Sequence, residues 1–207
     1  MAPGATPPGG TPPGRTPPGA DRESDDAGSA RRGAEFTVGA GGRVETGRRV
    51  EQRGLWFEEY EIGTTYLHRP GRTVTEADNV LFTTLTMNTQ SLHLDAAWAA
   101  QQPGFRGERL VNSMFTLSTL VGLSVAQLTM GTIVANLGFS EVSFPKPVFH
   151  GDTLYAETVC TGKRESNSRP GEGVVTLEHI GRNQHGEIVA RAVRATLVRK
   201  RPSDGPK

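Results

Sequence analysis

Four polar side chains crowd the stretch LTMNTQSLHLD, residues 85–95: Asn88, Gln90, His93 and Asp95. His93 is the one that can both take and give a proton near neutral pH, because an unperturbed imidazole titrates at about 6.5. That suits general acid–base chemistry. Asn88 cannot share the task. A carboxamide accepts and donates hydrogen bonds but does not take a proton, so it can hold a water or orient a ring. It also suits the exit of a helix. Asp95 can act as an acid, or cap the helix that DAAWAAQQ (95–102) predicts. The bland alternative is a polar turn with a cap at its end. His68, His150, His179 and His185 carry no motif. No H-x-x-x-H spacing occurs, so no metal is expected.

The elements around this stretch are legible. Thr75 and Asp78 have the spacing of a capping box ahead of apolar Val80, Leu81 and Leu85, which predicts a helix ending just before Asn88. SMFTLSTLVGLSVAQLTM (113–130) predicts the longest helix, apolar on most faces and therefore central. TTYLHRPGRTVT (64–75) reads as extended, broken at Arg69-Pro70-Gly71. Four further strands are expected at 132–145, 151–166, 171–183 and 186–200, with a turn at Gln184-His185-Gly186. In the last strand Ile188, Ala190, Ala192 and Ala195 are set against Arg191 and Arg194. Trp56, Phe57 and Tyr60 are placed to seal a domain edge. One long apolar helix ahead of several antiparallel strands is an α+β plan, with the sheet wrapped around the helix.

Composition narrows the function classes. The chain has 207 residues and a net charge of +1, which gives no case for nucleic acid or an anionic membrane. Its single cysteine, Cys160, excludes an internal disulfide and points to a reducing, cytoplasmic setting. No apolar run reaches the roughly 18–20 residues of a membrane span. The start, MAPGATPPGG, lacks a secretory pattern. TPPG recurs at 6–9, 11–14 and 16–19, and nothing before residue 53 has an apolar period. Residues 1–52 are therefore expected to be a disordered tail, followed by one domain over 53–200 and a short tail over 201–207.

Three stretches, in this order, resemble the MaoC-like branch of the hotdog fold, the (R)-specific enoyl-CoA hydratases: SLHLD (91–95), RLVNSMFTLSTLVG (109–122) and FSEVSFPKPVFHGDTLYAETV (139–159). The resemblance covers roughly residues 54–200. RPGRTVTEADN, LTMNTQ and KRESNSRPGEG (163–173) are most similar in texture to itaconyl-CoA and mesaconyl-CoA hydratase-like members. The resemblance implies a hotdog fold and a catalytic loop that usually reads D-x-N-P-x-H. His93 matches the histidine. Asn88 stands where that loop has its acid, Gln90 where it has asparagine, and Ser91 where it has proline.

The implied reaction is hydration of an α,β-unsaturated acyl-CoA. His93 is then the base, and the oxyanion donor is the backbone N–H of Ser113 at the start of the central helix, where the family often has glycine. Such a donor is worth about 2.7–4 kcal/mol of barrier. Asn112 precedes it where the family often has histidine. Asn88 would hold the water or orient His93. Asn112, Met114 and Gln90 would border the acyl group, and Lys146, Lys163, Arg164 and Arg169 are the candidates for coenzyme A. The coenzyme is part of the substrate, so no separate cofactor is implied. The family's pairing of sheets implies a homodimer at least. Two alternatives stay open: a thioesterase on the same fold, for which no placed carboxylate is found, and a non-catalytic acyl-CoA-binding protein, which Asn88 favours.

Overall fold

The computed structural model describes residues 50–202. The tails expected over 1–52 and 201–207 lie almost wholly outside the described residues. Five strands form one antiparallel sheet: β1 (Thr65–Thr73), β2 (Ile133–Ser143), β3 (Thr153–Glu165), β4 (Glu172–Arg182) and β5 (Ile188–Arg199). Their spatial order is β1-β3-β4-β5-β2, which leaves β1 and β2 at the edges. The break expected at Arg69-Pro70-Gly71 is a register shift between His68 and Arg72, and the strand continues past it. An edge strand tolerates proline because no neighbour needs the missing N–H. The Gln184-His185-Gly186 turn closes through the Gly186 N–H to the Asn183 carbonyl at 3.0 Å, with Gly186 at φ 78°. That conformation is open to glycine without steric cost.

Four helices accompany the sheet: α1 (Glu76–Leu85), α2 (Ser91–Leu94), α3 (Ala96–Ala99) and α4 (Ser113–Leu128). α4 buries Leu117, Leu120, Ser124 and Leu128, a stripe at helical spacing. Leu120 packs with Ala156 and Ala190, and Leu128 joins Phe57, Tyr60, Cys160, Val175, Leu177 and Val198. The opposite stripe, Met114, Ser118, Gly122 and Ala126, is exposed. The central helix is thus packed on one side and open on the other. Among the described residues, no helix is long and apolar enough to cross a membrane. Phe57 seals the sheet end by lying on Gly173, where an added Cβ would stand 2.3 Å from the ring. Tyr60 donates its hydroxyl to the Leu128 carbonyl at 2.6 Å.

One strand assignment changes. Arg194 was expected on the outer side of β5 with Arg191, yet it is 5 % exposed while Arg191 faces outward. Strand periodicity gives the reason: 194 shares parity with Ala190 and Ala192, and 191 does not. Arg194 ends a polar row on the inward face. Gln127 Oε1 lies 2.8 Å from His68 Nδ1, His68 Nε2 lies 2.8 Å from Thr158 Oγ1, and Thr158 Oγ1 lies 2.9 Å from His179 Nδ1. The amide oxygen only accepts, so His68 donates from Nδ1, Thr158 donates to His68 Nε2, and His179 donates from Nδ1 to Thr158. His179 Nε2 and Arg194 Nη1 are buried and have no partner among the described residues. Burial, with Arg194 alongside, pushes the His179 ring down to about 3. Arg194 donates from Nε to Asn136 Oδ1 at 3.3 Å and lies over the Phe139 ring, both on β2.

Candidate active site

The site begins with the cap of α1. Thr75 Oγ1 accepts the Asp78 N–H at 3.2 Å, and the Asp78 carboxylate accepts the Thr75 N–H at 2.9 Å, the reciprocal box that the spacing predicts. The first turn of α1 then delivers Asn79 to the interior, fully buried. Its Nδ2 lies within 3.1 Å of the Leu110 carbonyl and of His150 Nε2, and 3.4 Å from the His93 carbonyl. Its Oδ1 accepts the Asn112 N–H at 2.8 Å. One side chain therefore joins α1, the His93 segment, the start of α4 and the corner before β3. The sequence reading missed it. The signal available was a polar pair, Asn79 and Thr83, at helical spacing on the buried side of α1.

SLHLD was expected to be loop, and DAAWAAQQ a helix starting at its Asp95. The segment is instead two single turns of helix broken at Asp95, whose extended backbone (φ −100°, ψ 101°) ends α2 while its Oδ1 caps α3 by accepting the Trp98 N–H at 2.9 Å. His93 is buried on α2. Its Nδ1 lies 2.9 Å from the Leu110 carbonyl, which can only accept, so the proton of the neutral ring sits on Nδ1 and Nε2 carries the lone pair. Arg109 holds the same segment by donating to the Leu94 carbonyl at 3.4 Å, and it pairs with Glu76.

His93 lines a cavity of about 390 Å³. The other polar side chains on its wall are Ser113, Thr116 and Lys146, and the rest is apolar, including Val111, Val148 and Val189. α4 starts at this wall. Asn112, not Ser113, is its cap: Asn112 Oδ1 accepts the Met114 N–H at 2.9 Å. Ser113 is then the first helical residue, and its N–H has no acceptor among the described residues. A first-turn amide of this kind, at the positive end of the helix dipole, favours a negative oxygen. The cavity wall thus brings together an imidazole, the residue that carries a first-turn amide, and apolar side chains.

The other candidates are placed elsewhere. Asn88 lines a second cavity of about 380 Å³ together with Asn112 and Met114. Its Oδ1 accepts the Gln90 N–H at 3.2 Å, which closes a local turn after α1. Gln90 is exposed and contributes its carbonyl to the first turn of α2. Lys163 donates to three carbonyls, the nearest that of Tyr60 at 2.6 Å, and so ties the segment before β1 to β3. Arg169 pairs with Glu172 at 2.9 Å, and Arg164 reaches the Glu165 carbonyl at 3.3 Å. These three surround the β3–β4 hairpin and line neither cavity. Lys146 alone of the four coenzyme candidates borders the His93 cavity, and its ammonium pairs with Glu187 at 3.3 Å.

With this geometry in view, comparisons with known proteins are specific. The mesaconyl-CoA hydratase of Cereibacter sphaeroides is 35% identical over 153 residues, 74% of this chain and 43% of its own length. The β-methylmalyl-CoA dehydratase of Chloroflexus aurantiacus is 33% identical over 154 residues, 74% of this chain and 42% of its own. The chain therefore spans less than half the length of these two curated relatives. A solved MaoC-like dehydratase from Rhodospirillum rubrum superposes with a TM-score of 0.63 at 28% identity, over 72% of this chain and all of the other. The α+β expectation holds, and the sheet wrapped on one helix is the hotdog fold. The family described as the MaoC like domain matches residues 57–183, and the chain belongs to it.

Proposed function

We propose that the chain adds water reversibly to an α,β-unsaturated acyl-CoA, and that the acyl group is a C5 dicarboxylate of the mesaconyl type. The observation that carries the reading is the pairing, on one cavity, of His93 with its Nδ1 tied to Leu110 and the unengaged N–H of Ser113. In the proposed step His93 Nε2 takes a proton from water as its oxygen bonds to the β-carbon. The electron pair moves through the α-carbon to the thioester oxygen, held by the Ser113 N–H. The imidazolium then returns the proton to the α-carbon. No metal or further cofactor enters this proposal. The two curated relatives support the substrate class. Purified protein is expected to convert mesaconyl-CoA to a product heavier by one water, read by mass spectrometry, and His93→Ala to abolish the conversion. Full activity in that variant would remove His93 from the mechanism.

A non-catalytic acyl-CoA-binding role keeps one observation in its favour: Asn88 brings no carboxylate to His93 and lines the other cavity. Tight binding without turnover across an enoyl-CoA panel would establish it.

Homodimerisation is part of the proposal. The edge strand β2 exposes Leu137, Phe139 and Val142, and the open stripe of α4 is small enough for close helix approach. One copy spans 43% and 42% of the two curated relatives, which leaves room in each for a second such domain. Light scattering at micromolar concentration is expected to give twice the chain mass of 22.2 kDa, and a monomer would count against it. A cytoplasmic setting is also proposed, in keeping with Cys160 as a buried free thiol.

A further inference from the structure

We infer that the cleft beside the His93 cavity is an anion subsite built on Arg106, and that it takes the anionic oxygens of an acyl-CoA. These come either from a phosphate of the coenzyme or from the free carboxylate of the acyl group. The inference rests on the acyl-CoA reading above. The cleft holds about 240 Å³ and shares Lys146 and Pro147 with the His93 cavity, so one ligand can span both. Arg106 lines it from the turn Gly104–Gly107, where Gly104, Arg106 and Gly107 all have positive φ. Its guanidinium lies over the Phe149 ring at 5.1 Å, a contact that steadies the planar fork without using its N–H groups as hydrogen-bond donors.

Charge accounting points to a ligand. The cleft also contains two carboxylates, and both are engaged within the fold. Asp152 accepts the Phe149 N–H at 2.9 Å and the Gln184 amide at 2.8 Å. Glu187 accepts the Asn183 amide at 2.9 Å and pairs with Lys146 at 3.3 Å. Arg106 has no carboxylate partner and no hydrogen bond among the described residues. A guanidinium held on an aromatic ring in a cleft beside an apolar cavity is suited to a two-oxygen anion. Lys146, at the junction, can leave Glu187 and add a second positive charge.

The test is Arg106→Gln in the full chain, with Arg106→Lys beside it. Four ligands are compared: mesaconyl-CoA, crotonyl-CoA, crotonyl-pantetheine and coenzyme A itself, the last by calorimetry. Loss of a charge-assisted contact is expected to raise KM or Kd roughly ten- to a hundredfold, with kcat little changed and partial recovery in Arg106→Lys. A rise for both CoA thioesters and for coenzyme A, absent with the pantetheine ester, identifies phosphate. A rise confined to mesaconyl-CoA identifies the acyl carboxylate. If the wild type turns over no thioester yet binds coenzyme A, and Arg106→Gln weakens that binding, the subsite stands and the hydratase reading falls. Unchanged KM and Kd for every ligand, or a wild type that binds none of them, overturns the subsite.

Discussion

At the residue scale, the spacing of Asn88 and His93 does not by itself put them on one wall. Five positions apart in sequence, they line different cavities, because α1 leaves through a left-handed Met87 (φ 55°) and α2 turns once before His93. Asn88→Asp keeps the acceptor that binds the Gln90 N–H, so the turn should survive. Asn88 does not line the His93 cavity, so the new carboxylate is expected to stay outside it. Initial rates of generic enoyl-CoA hydration are therefore expected within about threefold of wild type, under roughly 1 kcal/mol of barrier. A gain of about tenfold or more would mean the carboxylate reaches the attacking water. His93, which lies buried on a cavity wall, was legible as a candidate through its motif and its place before the central helix. Asn79 was not, because its partners at Leu110, Asn112 and His150 lie 31 or more residues away, and no local pattern encodes them.

At the element scale, the start of α4 separates the proposed oxyanion donor from helix stability. Proline at a first helical position costs the helix nothing, since that N–H has no intrahelical acceptor. Asn112, at ψ 125°, already has the extended backbone that a following proline requires. Ser113→Pro should leave the melting temperature nearly unchanged while kcat falls roughly 10²–10³-fold, the cost of one oxyanion donor. A fall in KM alone, or no change in kcat, would assign the donor elsewhere. The helix was legible because its apolar stripe and following strands leave few alternatives. Its residues alone do not show that it is packed on one side only. A sequence of small and apolar residues reads alike whether its open face meets a sheet, a second chain or water.

At the scale of the whole molecule, buried histidines tie stability to pH. An unfolded histidine takes a proton near pH 6.5. In the fold, burial holds His68 and His150 below that value and holds His179 down to about 3. As pH falls below about 6.5 the unfolded chain binds protons that the folded chain does not, so stability declines through the window from about 6.5 towards 3. Above it, these rings contribute no slope. At pH 5, His179 alone accounts for about 2 kcal/mol. Melting temperature should drop between about pH 7.5 and pH 5, and His179→Gln should flatten that drop. A pH-independent transition over this range would contradict the assignment.

The row from Gln127 to His179 has a further consequence. Each link fixes the proton order of the next, so the chain has a direction: amide oxygen, ring, hydroxyl, ring. Reversing it would require both imidazoles and the Thr158 hydroxyl to switch together. An exposed carboxamide on α4 thereby sets the tautomer of His179, a ring that never meets water and that Gln127 does not touch. Nitrogen chemical shifts of His179 report on a surface side chain two partners away.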